Sequence, residues 1–313
     1  MPAIRIEGLQ KSFGAVRALD GLDLAVERGA VFGFLGPNGA GKTTTLRILT
    51  GLARPNAGRA WIGGIELTSN GKELSRRVGY LPEEPTFYPW MTPCEFLDHV
   101  GRVFGLPARE RRTRVDTLLD TVGLTEAGKR RIGGFSRGMR QRLGIAQALI
   151  NQPAVLLLDE PVSALDPAGR RELLELIDNL RAQSTVLMSS HILADVERVC
   201  DTIGIIDKGR LVIQASREVL LTRYAVPAFA LQVDHGFAQA LEGWARGLRQ
   251  QRWVRSVSVQ DRSARVIVRD MQRAKQDLLL SALDAGLCVT GFEILRPSLE
   301  DVFLHLVGEG GRA

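Results

Sequence analysis

The sequence predicts an α/β fold built on a parallel core sheet, followed by a second, smaller α+β domain. Short apolar runs without alternation, such as residues 154–158 and 203–206, are typical of strands buried on both faces of a parallel sheet. Amphipathic segments of helical length separate these runs, which indicates right-handed crossovers. After Ser216 the pattern changes to alternating strands. We therefore expect two domains, at residues 1–222 and 223–313.

The first strands form a separate flank. Residues 4–9 and 22–26 are predicted strands, and Gly14 and the Asp20-Gly21 pair are the turn signals that separate them. Because each strand alternates apolar and polar positions, we expect a small antiparallel sheet with one solvated face. Further short strands are predicted over residues 59–62 and 78–81.

The middle of the first domain is helical. Leu, Val and Arg recur at helical spacing over residues 94–123, which predicts a helical stretch inside a helical subdomain at about residues 85–145. Its densest basic run, residues 109–114, is consistent with a solvated helix face or with a lipid or partner contact. Charge alone does not choose between them.

The second domain has a β-α-β-β-α-β order. This pattern fits a ligand-sensing module and a dimer-reinforcing module equally well, and no polar cluster in the sequence marks a pocket. Its strands are predicted over residues 228–233, 254–259, 265–268 and 289–295, and its helices over residues 237–248 and 272–285.

Composition excludes several classes of protein. The chain has 313 residues, 45% of them hydrophobic, and we find neither a run of 18 apolar residues nor a basic-then-apolar leader, so we expect a protein that is neither secreted nor membrane-spanning. Cys94, Cys200 and Cys288 lie far apart and form no C-x-x-C pair, which favours a reducing cytoplasm over a disulfide framework or a zinc site. A net charge of +6 is compatible with nucleic acid, an anionic membrane or no specific partner.

One glycine-rich segment carries the strongest chemical signal. It fits G-x-x-x-x-G-K-[ST], stands between an apolar strand and the start of a helix, and predicts a site for ATP or GTP. Backbone N–H groups and the helix dipole would face the phosphates, Lys42 would reach the β- and γ-phosphates, and the Thr43 hydroxyl would bind Mg²⁺. The predicted phosphate-site residues are Gly36, Pro37, Asn38, Gly39, Ala40, Gly41, Lys42, Thr43 and Thr44.

A second chemical signal is the acidic pair that ends the apolar strand at residues 155–158. Side chains alternate along a strand, so the two carboxylates take different directions and different tasks. We expect Asp159 to hold Mg²⁺ through water and Glu160 to orient and deprotonate the attacking water.

These segments and four others resemble the ATP-binding-cassette ATPases that drive transporters, over residues 4 to about 220. Phe135-Ser136-Arg137-Gly138-Met139 is similar to the family's signature loop, although only Ser136 and Gly138 keep the usual Leu-Ser-Gly-Gly-Gln pattern. Ser163-Ala164-Leu165-Asp166 resembles the D-loop, His191 resembles the switch histidine, and Phe13 stands where the family stacks an aromatic ring on adenine. The resemblance implies that Arg137 and Met139 also lie at the nucleotide.

The chain departs from the commonest cassette pattern at Glu83, where many cassettes carry a Gln that meets Mg²⁺. Glu83 is still an oxygen ligand, so we expect it to serve the metal. The Pro82-Glu83-Glu84 segment, the altered signature loop and the terminal segment 297–303 look like the subgroup that serves ABC-2-type export permeases, which includes drug and antibiotic exporters.

The resemblance implies a mechanism and partners. Two copies would pack head to tail, each ATP lying between Lys42 of one chain and Ser136 of the other, with Glu160 as general base, His191 at the γ-phosphate and Asp166 coupling the sites. ATP hydrolysis would drive a separate integral-membrane permease. The chain itself would then lie at the inner face of the cell membrane. Phe87, Tyr88, Trp90 and Met91, within residues 85–123, are the candidate docking residues, and core packing is an equal alternative for them.

A soluble cassette ATPase acting on nucleic acid or ribosomes is the rival interpretation, favoured by the basic composition. Such proteins typically carry two cassettes or a long coiled coil, and the sequence contains neither heptads nor a second phosphate loop. We therefore expect no nucleic-acid partner.

Overall fold

The chain divides into two units, Met1–Arg217 and Glu218–Ala313. The computed structural model describes residues 1–67, 71–163, 165–223, 227–295, 299–300 and 302–303. Among these described residues, no helix has the length and apolar character needed to cross a membrane.

The first unit alternates strands and helices, as the sequence predicts. Its strands are β1 (Ile4–Phe13), β2 (Val16–Val26), β3 (Val31–Leu35), β4 (Ala57–Ile62), β5 (Ile65–Glu66), β6 (Val78–Leu81), β7 (Val155–Leu158), β8 (Thr185–Ser190), β9 (Thr202–Asp207) and β10 (Arg210–Ser216). Its helices are α1 (Lys42–Leu49), α2 (Gly71–Arg77), α3 (Pro93–Val103), α4 (Ala108–Thr121), α5 (Arg137–Leu149), α6 (Pro167–Asn179) and α7 (Leu193–Val199), and α8 (Arg217–Arg223) crosses the border between the units.

The predicted parallel core sheet is confirmed. Its strand order is β10-β9-β3-β8-β7-β6, and every neighbouring pair is parallel except β10 with β9. All residues of β3, β7 and β8 are buried, which explains why these strands do not alternate apolar with exposed polar residues. Leu35 pairs with Ser190 and Leu158 pairs with Met188, so these three strands end side by side at one edge of the sheet.

The antiparallel flank is also present, in the strand order β2-β1-β4-β5, but its strands are longer than predicted. The turn between β1 and β2 follows Phe13, which pairs with Val16. The Asp20-Gly21 pair does not form a turn. Instead it lies within β2, where the register shifts and Gly21 takes a φ of 78°, so the prediction mistook a bulge for a strand end.

The predicted helical stretch over residues 94–123 is divided into two helices, α3 and α4. α3 begins with a capping box in which Thr92 and Glu95 exchange side-chain and backbone hydrogen bonds, and it ends at Val103. Pro107 starts α4 and disfavours helical backbone at the residue before it, which breaks the stretch. Two arginines of the basic run have structural partners, since Arg111 donates to Asp98 and Arg114 donates to the Ile150 carbonyl.

The second unit has the predicted β-α-β-β-α-β order. Its sheet is antiparallel, with strand order β12-β13-β11-β14, and its buried core includes Phe229, Leu241, Val266 and Leu278. The elements are β11 (Ala228–Val233), α9 (Ala238–Leu248), β12 (Val254–Gln260), β13 (Ser263–Val268), α10 (Met271–Asp284) and β14 (Val289–Leu295).

Candidate active site

The glycine-rich segment forms a loop between the end of β3 and the start of α1. Gly41, directly before the helix, has a φ of 111°, which a residue with a side chain rarely adopts. A Cβ atom at Gly41 would also lie 2.6 Å from the Ala18 carbonyl oxygen, and one at Gly36 would lie 2.3 Å from the Ile206 carbonyl oxygen. The loop is therefore packed tightly against β2 and β9. Its backbone N–H groups lie at the N-terminus of α1, where such groups can bind phosphate.

Lys42 is buried, with 6% of its surface exposed. Its ammonium group donates to the carbonyl oxygens of Gly36 at 2.7 Å and Pro37 at 3.3 Å, and it lies 3.3 Å from a Glu160 carboxylate oxygen. The Lys42 side chain therefore folds back over its own loop and contacts Glu160, which lies just after β7. These three oxygen partners compensate for the cost of burying the positive charge of Lys42 within the site.

Asp159 follows β7 and faces the start of α1. Its Oδ1 atom accepts hydrogen bonds from Thr43 Oγ1 at 3.2 Å and from Ser189 Oγ at 2.7 Å. Burial raises the pKa of this carboxyl, and the Ser189 and Thr43 hydrogen bonds partly oppose that rise. The two predicted metal ligands from distant parts of the chain are thus in direct contact.

Glu160 points into the same space from a strained backbone. Its φ is 46°, in the left-handed region that residues with side chains rarely adopt. Its Oε2 atom lies 2.9 Å from Nδ1 of His191, and because a carboxylate only accepts, His191 is the donor. Lys42, Glu160 and His191 therefore form one continuous chain of charged and hydrogen-bonded groups.

These groups open onto a cavity of about 430 Å³. Glu83 reaches this cavity, and its backbone carbonyl accepts a hydrogen bond from Gln141 Nε2 at 2.8 Å. The lining residues are Val16, Ala18, Asn38, Gly39, Ala40, Gly41, Lys42, Thr43, Thr44, Glu83, Glu160 and His191.

Phe13 is not among the lining residues. It is 55% exposed at the end of the β1–β2 hairpin, with the Lys11 ammonium 4.9 Å from its ring centroid. Sequence reasoning missed Val16 and Ala18, which do line the cavity. The only available signal was the hairpin itself, because the pairing of Phe13 with Val16 carries the second strand back toward the loop.

The signature segment does not line the cavity of its own chain. Ser136 caps α5 by accepting a hydrogen bond from the Met139 backbone N–H at 3.2 Å, and Arg137 lines a different groove. Asp166 precedes α6 as its N-cap residue. Ala164 of the D-loop segment lies outside the described residues, as do Pro297, Ser298 and Asp301 of the terminal segment.

Sequence reasoning also missed two buried polar side chains near the site. Ser189, with no exposed surface, contacts Asp159 through its hydroxyl. Asp195 on α7 is 3% exposed and is paired with Arg170 of α6 at 2.9 Å. Neither carries a motif signal, because each is a common residue type inside a strand or helix and only folding brings it to its partner.

A lysine and an acidic pair around a glycine-rich helix start define a phosphate-binding site, so the fold and cavity are those of a P-loop nucleotide-hydrolysing protein. Comparison with known proteins identifies the family. Residues 19–163 match the model of the ABC transporter domain, and residues 230–307 match that of the DrrA1-3-like ATP-binding protein C-terminal domain.

Similar whole proteins agree. An uncharacterized ABC transporter ATP-binding protein, YxlF of Bacillus subtilis, is 41% identical over 97% of this chain and 99% of its own length. The daunorubicin resistance ATP-binding protein DrrA3 of Streptomyces coeruleorubidus is 35% identical over 99% and 97%. A solved ATP-binding subunit of an ABC transporter is 30% identical, with a TM-score of 0.64, over 71% of this chain and 93% of that one.

The chain therefore belongs to the ABC transporter ATP-binding proteins, and it is an ATPase. The resemblance that its motifs predict is confirmed. None of these similarities supports the rival interpretation of an ATPase acting on nucleic acid or ribosomes.

Proposed function

We propose that ATP hydrolysis by this chain powers a separate ABC-2-type membrane permease that exports its substrate. The observation that carries the proposal is the series of contacts that joins the buried Lys42 and Glu160 to the exposed His191 beside the phosphate loop. Similar proteins named for daunorubicin resistance, bacitracin transport and linearmycin resistance support export of a drug-like or antibiotic molecule.

The contacts of Lys42 and Glu160 suggest how ATP enters the site. Phosphate oxygens arriving at the loop would compete for the Lys42 ammonium, which now contacts one Glu160 oxygen. Release of that oxygen leaves the Glu160 carboxylate hydrogen-bonded to His191 and free to accept the proton of the attacking water. Lys42, the loop amides and His191 then face the γ-phosphate, where negative charge develops.

Mg²⁺ fits the pair formed by Thr43 and Asp159. Both offer oxygen ligands, their side chains are in contact at 3.2 Å, and oxygen is the ligand that this hard cation prefers. Among the described residues no three His, Cys, Asp or Glu side chains cluster as a metal site, so phosphate oxygens and water would complete the coordination. Bound there, the ion would neutralise charge on the phosphates. Glu83 lines the same cavity and is proposed as a further contact.

A second copy of the chain is proposed to complete the site. Ser136, Gly138 and Met139 do not line the cavity of their own chain that contains Lys42. Head-to-tail pairing would bring the Ser136 hydroxyl and the start of α5 to the partner's ATP, with Asp166 coupling the two sites.

The permease is proposed to dock beside the helical subdomain, which places the chain at the inner face of the membrane. Tyr88 is 47% exposed and Trp90 is 62% exposed, with their ring centroids 5.2 Å apart. Next to them a groove of about 430 Å³ runs from Glu83 to Arg140. Exposed aromatic side chains beside a groove are typical anchors for a partner helix. We further propose residues 1–222 as the cassette and residues 223–313 as its accessory domain.

Replacing Glu160 by Gln tests the proposal. The variant keeps shape and ATP binding but loses the base, so we expect phosphate release to fall roughly 10²- to 10⁴-fold and an ATP-bound dimer to accumulate on size-exclusion chromatography. The matched control is Glu242→Gln on the exposed face of α9, which should leave turnover unchanged. Hydrolysis by Glu160→Gln near the wild-type rate would remove Glu160 from the mechanism.

A further inference from the structure

One hydroxyl group contacts both acids of the site. Ser189 lies near the end of β8 with no exposed surface. Its Oγ atom donates to Asp159 Oδ1 at 2.7 Å and accepts from the Glu160 backbone N–H at 2.9 Å. The direction of each hydrogen bond is fixed, because the carboxylate only accepts and the amide only donates.

The second of these bonds holds an unusual backbone. Glu160 has a φ of 46°, and its carbonyl accepts a hydrogen bond from the Ser163 backbone N–H at 3.1 Å. The left-handed residue is therefore held on one side by Ser189 and on the other by its own turn. A left-handed backbone at a residue other than glycine persists only when its surroundings determine it.

The backbone of Glu160 determines where its carboxylate points. In this conformation the two carboxylate oxygens reach Lys42 at 3.3 Å and His191 at 2.9 Å. Relaxation of φ to the ordinary region would turn the side chain away from both. Ser189 also keeps Asp159 Oδ1 within 3.2 Å of the Thr43 hydroxyl, where the metal is proposed to bind.

We propose that Ser189 is a positioning residue for ATP hydrolysis, which fixes Asp159 and the left-handed Glu160 backbone through a single hydroxyl group. Its fully buried hydroxyl group acts through the two acids that it contacts. The inference rests on the proposed roles of Glu160 and Asp159. Residues that orient such groups typically change activity or metal affinity by 10- to 100-fold when they are removed.

The decisive variant is Ser189→Ala in the full-length chain. We expect its kcat to fall roughly 10- to 100-fold, because both acids lose their common partner. Binding of N-methylanthraniloyl-ATP without Mg²⁺ should stay within about twofold of wild type, since Lys42 and the phosphate loop are untouched. The tightening of that binding by added Mg²⁺ should weaken, which is a readout independent of turnover.

Two matched variants separate positioning from packing. Ser184→Ala removes another buried hydroxyl group, directly before the first residue of the same strand, where it donates to the Pro153 carbonyl at 2.6 Å. This variant should keep kcat and the Mg²⁺ effect. Ser189→Thr keeps the hydroxyl and should restore most of kcat. If the extra methyl group prevents nucleotide binding by Ser189→Thr, the comparison of the two alanine variants decides.

Glu160→Gln belongs in the same series to separate this inference from the proposed function. If Glu160→Gln is inactive while Ser189→Ala matches wild type, only the role of Ser189 is overturned. If Glu160→Gln remains active, the proposed base fails first. Equal losses of kcat in Ser189→Ala and Ser184→Ala, or loss of Mg²⁺-free nucleotide binding in Ser189→Ala, would show a merely structural role and overturn the inference.

Discussion

The two units of the chain differ in the burial of their charged side chains. In the first unit Lys42, Asp159 and Glu160 are at least nine-tenths buried and meet at one edge of the core sheet. In the second unit a groove of about 330 Å³ between α9 and α10 also has an ion pair, but its members Arg273 and Asp277 are 57% and 47% exposed. Among the described residues, the buried polar and charged side chains all belong to the first unit.

The difference shows where this protein places its chemistry. Burial of charge is unfavourable unless the groups are paired, so a fold retains it mainly where function requires it. The second unit instead has a packed apolar core and a solvated surface ion pair, an arrangement that contributes stability. Three substitutions test this contrast, from the largest expected effect to the smallest.

Phe229→Ala should destabilise the second unit and leave ATP binding by the first unit unchanged. Phe229 is fully buried and its ring stacks on Phe292 with centroids 5.5 Å apart, so its loss should lower the unfolding free energy of the second unit by about 3–5 kcal/mol. ATP binding should persist after that unit unfolds in urea. In contrast, Phe34→Ala in β3 should reduce stability and ATP binding together. Parallel loss of ATP binding in Phe229→Ala would refute the independence of the units.

Asp159→Asn should stabilise the nucleotide-free protein while abolishing Mg²⁺-dependent turnover. Burial raises the pKa of Asp159 above its ordinary 3.8. Between pH 3.8 and this raised pKa, the folded protein keeps the carboxyl proton that the unfolded chain has released. This carboxyl therefore makes stability fall as pH rises from 3.8 through the raised pKa, and the full cost remains at pH 7. We expect a gain of about 0.5–2 kcal/mol in urea titrations at pH 7, which disappears below pH 3.8.

The matched control for Asp159→Asn is Asp277→Asn in the second unit. Its carboxylate is 47% exposed and paired with Arg273, so the change in stability should stay below about 1 kcal/mol. A loss of stability in Asp159→Asn at pH 7 would contradict the view that function, and not folding, retains that buried charge.

Gly243→Ala in α9 should give the smallest effect, a gain of about 0.4–1 kcal/mol in the second unit. A Cβ atom there meets no neighbour within 4 Å, and the substitution restricts the unfolded chain. The equivalent change in the first unit, Gly144→Ala in α5, would place Cβ 2.4 Å from Leu81 Cδ1 and should destabilise it. Circular-dichroism melting of the two variants compares them directly, and stabilisation by both would contradict the tight packing of α5.

Much of the fold was predictable because its signals are local. Apolar runs predicted β3, β7 and β9, and alternation predicted the order of the second unit. One error arose where a local signal has two meanings, since Asp20-Gly21 is typical of a turn but forms a bulge. The other arose over residues 94–123, where Gly105 and Pro107 mark a break between two helices that the prediction did not use.

The site was predictable to the same extent. Its main residues form two adjacent pairs in the chain, Lys42 with Thr43 and Asp159 with Glu160. A motif of consecutive residues is therefore enough to identify each pair. Ser189 was not predictable, because a serine inside a buried strand has no signature of its own. Its role depends on the register that sets Met188 opposite Leu158.

The sequence by itself determined the class of this protein, through a phosphate loop, an acidic pair and the period of its apolar residues, all of which act over a few neighbouring positions. The tertiary structure decided which distant groups meet. Thr43 and Asp159 are 116 residues apart, yet their side chains touch because parallel strands end at a common edge of the sheet. Packing also fixed the left-handed backbone of Glu160, since such a conformation is stable only when several contacts enforce it at once.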